Sequence, residues 1–218
     1  MNNKYDLAIF DLDGTVLNTL QDLSNAVNHA LSVYNLPTLT NEQVASFTGN
    51  GIRVLIELAA GKDKSKAEVD DIFKEFKDYY SKHSSDTTAA YPYMIDMINN
   101  LKANGIKVAL LSNKINSVVK DLESIYFKDL FEIARGEIEG IPRKPEPDAV
   151  LNIIDELNSN INSTVYIGDS EVDIITSMNA NVDCIAVTWG FRTKEYLEQY
   201  GYPTVVDTVD QLFSTITR

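Results

Sequence analysis

The sequence predicts an α/β fold: a doubly wound, mostly parallel sheet that carries one inserted all-helical segment. Three observations predict it. Short apolar runs recur along the chain, helical spacing fills most gaps between them, and one long connection holds no strand-like run.

The first strand is expected at residues 7–10, four apolar residues that end at Asp11. Further buried strands are expected at 106–111, 131–134, 164–167 and 184–187, with 204–206 as an edge strand. Helices are expected at 94–104 and 148–157. Between the first two strands the pattern is helical throughout. Leu23, Ala26, Val27, Ala30, Leu31 and Tyr34 keep a helical spacing, as do Ile52, Leu55, Ile56 and Ala59. Thr40-Asn41-Glu42-Gln43 and Ser65-Lys66-Ala67-Glu68 have the form of capping boxes, in which the third residue after the cap reaches back to it. The second opens a helix with Val69, Ile72, Phe73, Phe76, Tyr79 and Tyr80 on one face. A structureless loop of that length is rare, so residues 17–86 are expected to form a small helical domain inserted into a core of residues 1–16 and 87–218.

Composition narrows the function. Hydrophobic residues make up 44% and charged residues 23%, which suits a globular chain. Against 19 Lys and Arg stand 32 Asp and Glu, a net charge of −13 that repels phosphate backbones and anionic membranes. No nucleic-acid or membrane partner is therefore expected, although a cation in one cleft still allows a small anionic substrate. Cys184 is the only cysteine, which excludes an intramolecular disulfide and a cysteine-based zinc site. The first apolar run is too short for a signal peptide or a membrane span, so a cytoplasmic protein is expected. His29 and His83 fall in helical, surface-like segments, which leaves the chemistry to carboxylates.

Four segments carry that chemistry. Asp11-Leu12-Asp13-Gly14-Thr15-Val16 follows the first strand, and ligands of open parallel sheets bind beyond the carboxyl ends of strands. Ser112-Asn113-Lys114 follows the second, where hydroxyl, amide and backbone N–H donors suit phosphate oxygens, or else cap a helix. Arg143-Lys144-Pro145-Glu146-Pro147 is a loop stiffened by two prolines, which fixes where Lys144 points. Gly168-Asp169-Ser170-Glu171-Val172-Asp173 places two acids four apart, on one face if a helix begins there. Each has an ordinary explanation as a turn, cap, surface lysine or dipole partner. Together they bring carboxylates, donors and a lysine to one sheet edge. Carboxylates so crowded repel one another unless a hard cation such as Mg²⁺ joins them, and that combination describes phosphoryl transfer.

With these four motifs in this order, the chain resembles the haloacid dehalogenase superfamily, in its phosphoglycolate phosphatase-like branch. The resemblance spans the chain. Its helical insert falls where that family carries a cap, and Thr188-Trp189-Gly190-Phe191-Arg192 is similar to a segment after the fifth strand in that branch. The resemblance implies a Rossmann-like core. It implies that Asp11 is a nucleophile forming an aspartyl-phosphate, and that Asp13 is the general acid and base. It implies that Mg²⁺ is held by the Asp11 carboxylate, the Asp13 carbonyl and Asp169, with Asp173 orienting water or Lys144. Ser112 and the Asn113 backbone would bind the transferring group, Lys144 would neutralise charge, and Thr15 would hydrogen-bond within the first turn. Asp13 also favours phosphate over carbon–halogen chemistry, because dehalogenases lack an acid there.

Substrate choice is then expected in the cap, around Gly49, Asn50, Gly51 and Arg53. Arg53 would hold a substrate carboxylate, or else only pair with Glu57 four residues on. The chain departs from the family at Tyr93, where a glycine commonly follows the proline, and at Asn181, where glycine is usual. The expected activity is Mg²⁺-dependent hydrolysis of a small phosphorylated metabolite, with phosphoglycolate as the example, by a monomer or homodimer. Sugar phosphomutase, pyrophosphatase and nucleotidase activities are the alternatives, and a non-catalytic interaction module is a third.

Overall fold

The computed structural model describes residues 3–201 and 204–218. Among them the strands are β1 (Leu7–Phe10), β2 (Leu17–Asn18), β3 (Ala89–Ala90), β4 (Lys107–Ile115), β5 (Ile133–Glu137), β6 (Thr164–Gly168), β7 (Asp183–Val187) and β8 (Thr204–Val206). The helices are α1 (Leu20–Val33), α2 (Asn41–Phe47), α3 (Ile52–Ala60), α4 (Lys66–His83), α5 (Met94–Ala103), α6 (Asn116–Phe127), α7 (Asp148–Glu156), α8 (Glu171–Ala180), α9 (Lys194–Leu197) and α10 (Val209–Ile216).

Six strands form a parallel sheet in the order β5-β4-β1-β6-β7-β8. The strand order reverses at β1, which lies between β4 and β6, so the crevice beyond its carboxyl end is the topological switch point. Side chains alternate between the two faces of a strand. Ala8 and Phe10 accordingly join one apolar cluster, and Leu7 and Ile9 another, the second covered by Ala149, Val150, Ile153 and Ile154 of α7. That is why these strands are apolar at every position rather than at every second one.

Helices α1 to α4 occupy the stretch between β2 and β3. Both capping boxes form: Gln43 N–H donates to Thr40 and Glu68 N–H to Ser65, and each third-position side chain returns to its cap. The apolar face of α4, with Ile72, Phe76 and Tyr80, belongs to one continuous cluster with Leu12, Val16 and Leu17 from the sheet side.

Three elements differ from their expected form. β4 does not stop at Leu111 but continues through Ser112-Asn113-Lys114 to Ile115, with a register shift against β5. Its polar end remains extended because each side chain finds a buried polar partner, as described below. β5 begins at Ile133 rather than at 131. The first residues of the expected helical segment, Leu17–Asn18, are a strand that pairs antiparallel with Ala89–Ala90. This ribbon joins the two chain crossings, and Tyr91 N–H adds a bond to Val16 O of 3.1 Å. Beside it, the Asp22 carboxylate accepts from the backbone N–H and the hydroxyl of both Thr87 and Thr88, at 2.6–3.0 Å.

Candidate active site

The four motifs meet at the carboxyl ends of β1, β4 and β6. Asp11 follows β1 directly, and its N–H still bonds Ile167 O of β6 at 2.8 Å. The chain then turns at Gly14, whose φ of 81° lies in the left-handed region. A Cβ at Gly14 would lie 2.2 Å from Asp169 Oδ2, and one at Gly190 would lie 2.3 Å from Asp169 Cβ. The two glycines therefore let two loops close on one carboxylate.

Lys144 Nζ donates to Asp11 Oδ1 and to Asp173 Oδ1, both at 2.8 Å. Its backbone is held as well: Lys144 N–H donates to Asn113 Oδ1 at 2.9 Å, and Asn113 Nδ2 donates back to Lys144 O at 2.8 Å. The same Asn113 amide reaches Gly49 O at 2.9 Å, which ties the helical insert to this loop. Asp169 accepts from Phe191 N–H at 2.6 Å and from Thr15 Oγ1 at 3.3 Å. Thr15 thus serves Asp169 rather than its own turn.

Asp169 and Asp173 converge for a reason other than helical spacing. Asp169 lies before α8, Ser170 is the cap, and Asp173 is the third residue of the helix, where it accepts from Ser170 N–H at 3.1 Å and Ser170 Oγ at 2.6 Å. Asp173 thereby links Lys144 to the start of α8.

Carboxylate oxygens of Asp11, Asp169 and Asp173 lie within 4.8 Å of one another. Burial raises the pKa of Asp11 to about 7, although Lys144 opposes the shift. Burial also holds Asp169 well above the ordinary carboxylate range, with Asp173 and Asp11 adding repulsion. Burial disfavours the Lys144 ammonium, but Asp11 and Asp173 outweigh it and raise its pKa. Three buried carboxylates thus face one ammonium, with oxygen donors only. That donor set fits a hard divalent cation, to which Asp11, Asp169 and Asp173 each offer a carboxylate oxygen.

Asp13 lines the same cavity but is held by other partners. Its Oδ1 accepts from Lys114 Nζ at 2.6 Å and Thr19 Oγ1 at 2.5 Å, and Ser112 Oγ approaches Oδ2 at 3.5 Å. Lys114 is buried, and the Asp13 carboxylate more than offsets the burial that disfavours its ammonium, so its pKa is raised. The sequence reading gave no role to Lys114 or Thr19. A lysine at the end of an otherwise apolar strand was the available signal.

Between the sheet and the insert lies a cavity of about 50 Å³, lined on one side by Asp11, Asp13, Ser112, Asn113, Lys114, Lys144 and Asp169. The other side is formed by Leu23, Thr48, Gly49, Gly51, Ile52 and Leu55, closed by Ser170 and Phe191. Gly49 and Gly51 line this cavity, whereas Asn50 and Arg53 do not. Arg53 donates to Glu57 Oε1 at 2.7 Å and to Asp70, so its guanidinium is consumed by carboxylates on the outer side of the insert. Arg192 ties the two sides together: it pairs with Glu171 at 2.8 Å and donates to the carbonyls of Ala45 at 2.6 Å and Thr48 at 3.0 Å.

A sheet with its acid cluster at the switch point, facing a helical insert, defines a haloacid dehalogenase-type hydrolase. Residues 8–187 match the family model for haloacid dehalogenase-like hydrolases, and the chain belongs to that family. Within it the chain falls in the phosphoglycolate phosphatase-like branch. It is 34% identical over 220 residues to the phosphoglycolate phosphatase of Psychrobacter arcticus, covering 97% of this chain and 96% of that one. It is 30% identical over 225 residues to the phosphoglycolate phosphatase of Haemophilus influenzae, covering 99% and 100%. A crystal structure from Lactobacillus delbrueckii subsp. bulgaricus, provisionally described as a phosphoglycolate phosphatase, superposes with a TM-score of 0.94 at 36% identity, covering 98% and 99%. Among the described residues, no helix is long and apolar enough to cross a membrane.

Proposed function

We propose that this phosphoric monoester hydrolase cleaves a small, phosphoglycolate-like metabolite through a phosphorylated Asp11, with Mg²⁺ as its cation. The observation that carries this reading is the Asp11–Lys144–Asp173 arrangement beside Asp169, set in the cavity between the sheet and the insert.

Lys144 occupies one oxygen of Asp11 and leaves the other without a hydrogen-bond partner among the described residues. That carboxylate attacks phosphorus in line, and the ester P–O bond breaks. Asp13, entering this step in its protonated form, gives that proton to the departing alkoxide and is left as a carboxylate. That carboxylate then takes a proton from the water that cleaves the acyl phosphate, releasing inorganic phosphate and free Asp11. Ser112 and the backbone at Asn113 bind the transferring group, and Lys144 offsets its charge. Asp11, Asp169 and the carbonyl of Asp13 would hold the cation, whose contribution is charge neutralisation beside Asp11. The insert acts as a lid that excludes water. Phosphate release from 2-phosphoglycolate, with and without Mg²⁺, tests the reading. Asp11→Asn is expected to lose at least about 10³-fold in kcat, as the loss of a nucleophile does. Full activity in that variant, or no release by the wild type, would sink it.

A further inference from the structure

Two lysines treat two aspartates of the site alike. Lys144 binds Oδ1 of Asp11 and leaves Oδ2 to attack phosphorus. Lys114 binds Oδ1 of Asp13 at 2.6 Å, and the Thr19 hydroxyl donates to that same oxygen at 2.5 Å. Oδ2 of Asp13 receives only the distant approach of Ser112 Oγ, at 3.5 Å. Asp13 and Lys114 both line the cavity, so Oδ2 is the oxygen left to meet a leaving group there.

Lys114 is itself fixed. Its side chain is 2% exposed, its N–H donates to Ser112 Oγ at 3.2 Å, and the buried ring of Tyr80 on α4 lies 5.0 Å from Nζ. An ammonium and a carboxylate buried together add little net stability, because the lost hydration of both offsets their attraction. What the pair does supply is direction. The last torsion of an aspartate is otherwise broad, and two donors on one oxygen narrow it.

We infer that Lys114 is the positioning residue of the general acid: it holds Asp13 by Oδ1 so that Oδ2 faces the leaving oxygen. This rests on the phosphatase reading above, in which Asp13 protonates the alkoxide, and adds the group that aims it. When the ester P–O bond breaks, its electron pair stays on the leaving oxygen, and the proton passes there from Asp13 Oδ2. Lys114 keeps its own protons and faces the negative charge left on the carboxylate.

Leaving groups of different basicity test this. A p-nitrophenolate departs without a proton, whereas a phenolate, being more basic, gains from an acid. The quantity is the ratio of kcat/KM for phenyl phosphate to that for p-nitrophenyl phosphate, two esters of similar shape. It covers the steps up to phosphorylated Asp11, in which the leaving group departs. Asp13→Asn, lacking the acid, is expected to lower this ratio about 100-fold. Lys114→Met is expected to lower it about tenfold or more, and Lys114→Arg to stay near the wild type. In the Asp13→Asn background, Lys114→Met is expected to change the ratio less than about twofold, because no acid remains to be aimed. If Lys114→Met slows both esters by the same factor, the lysine binds the phosphoryl group or only supports the fold, and the inference is overturned. A ratio that falls as far in the Asp13→Asn background overturns it too. Should Lys114→Met not fold, Lys114→Gln is read by the same criteria. If Asp13→Asn itself leaves the ratio unchanged, Asp13 is not the acid and the mechanism above fails instead, so the two failures are distinguishable.

Discussion

Tyr93 stands at φ 65°, ψ 1°, as the residue that precedes α5, and it is 76% exposed. The left-handed region costs a side-chain-bearing residue about 1–2 kcal/mol, part of which glycine would return as chain entropy. With little packing to lose, Tyr93→Gly is expected to stabilise the protein by about 1 kcal/mol, a rise in Tm of about 2–4 °C by calorimetry. This is one departure from the family pattern that the sequence showed plainly, because a single position carries it. Asn181, the other, ends α8 at φ 54°, ψ 43°, a conformation asparagine tolerates. Arg53 illustrates the opposite case. Its partner Glu57 was visible at helical spacing, but Asp70, brought over from α4, was not, and it is the second carboxylate that removes Arg53 from service. Asn113 was legible as a polar residue at a strand end, yet its task of bracing Lys144 and Gly49 exists only once three distant segments meet.

At the scale of elements, the strands and capping boxes were readable because their signals are local: uninterrupted apolar runs and fixed offsets from a cap. Their ends were less so. β4 outlasts its apolar run because Ser112, Asn113 and Lys114 find partners on other segments, and no local pattern encodes that. The clamp of Asp22 on Thr87 and Thr88 was likewise hidden, since the partners are 65 and 66 positions away. Although burial works against it, this set of donors holds the Asp22 carboxyl below its usual range. A depressed folded-state pKa means that the stabilisation is complete above the unfolded value near about 4 and is lost as pH falls through the folded value. Asp22→Asn is therefore expected to cost about 2–3 kcal/mol at pH 7 in urea unfolding, with the gap from the wild type narrowing below about pH 4. The raised acids at the active site titrate in both proteins and drop out of that difference.

Across the whole molecule, the sheet and the insert share one apolar cluster, and Arg192 fastens them at the edge of the cavity. Its two bonds hold the end of α2 and the start of the loop that carries Gly49 and Gly51. Removing them in Arg192→Met is expected to speed amide hydrogen exchange in residues 45–51 by about tenfold or more, with the sheet's exchange unchanged. Equal acceleration everywhere would mean the contact serves global stability instead. The paired strands at the base of the insert have a consequence for how such enzymes diversify. Leu17 faces Ala90 and Asn18 faces Ala89, so the chain departs and returns through neighbouring positions. A transplanted lid of any length can be spliced there without stretching the scaffold beneath, provided its underside is greasy enough to cover Leu12 and Val16.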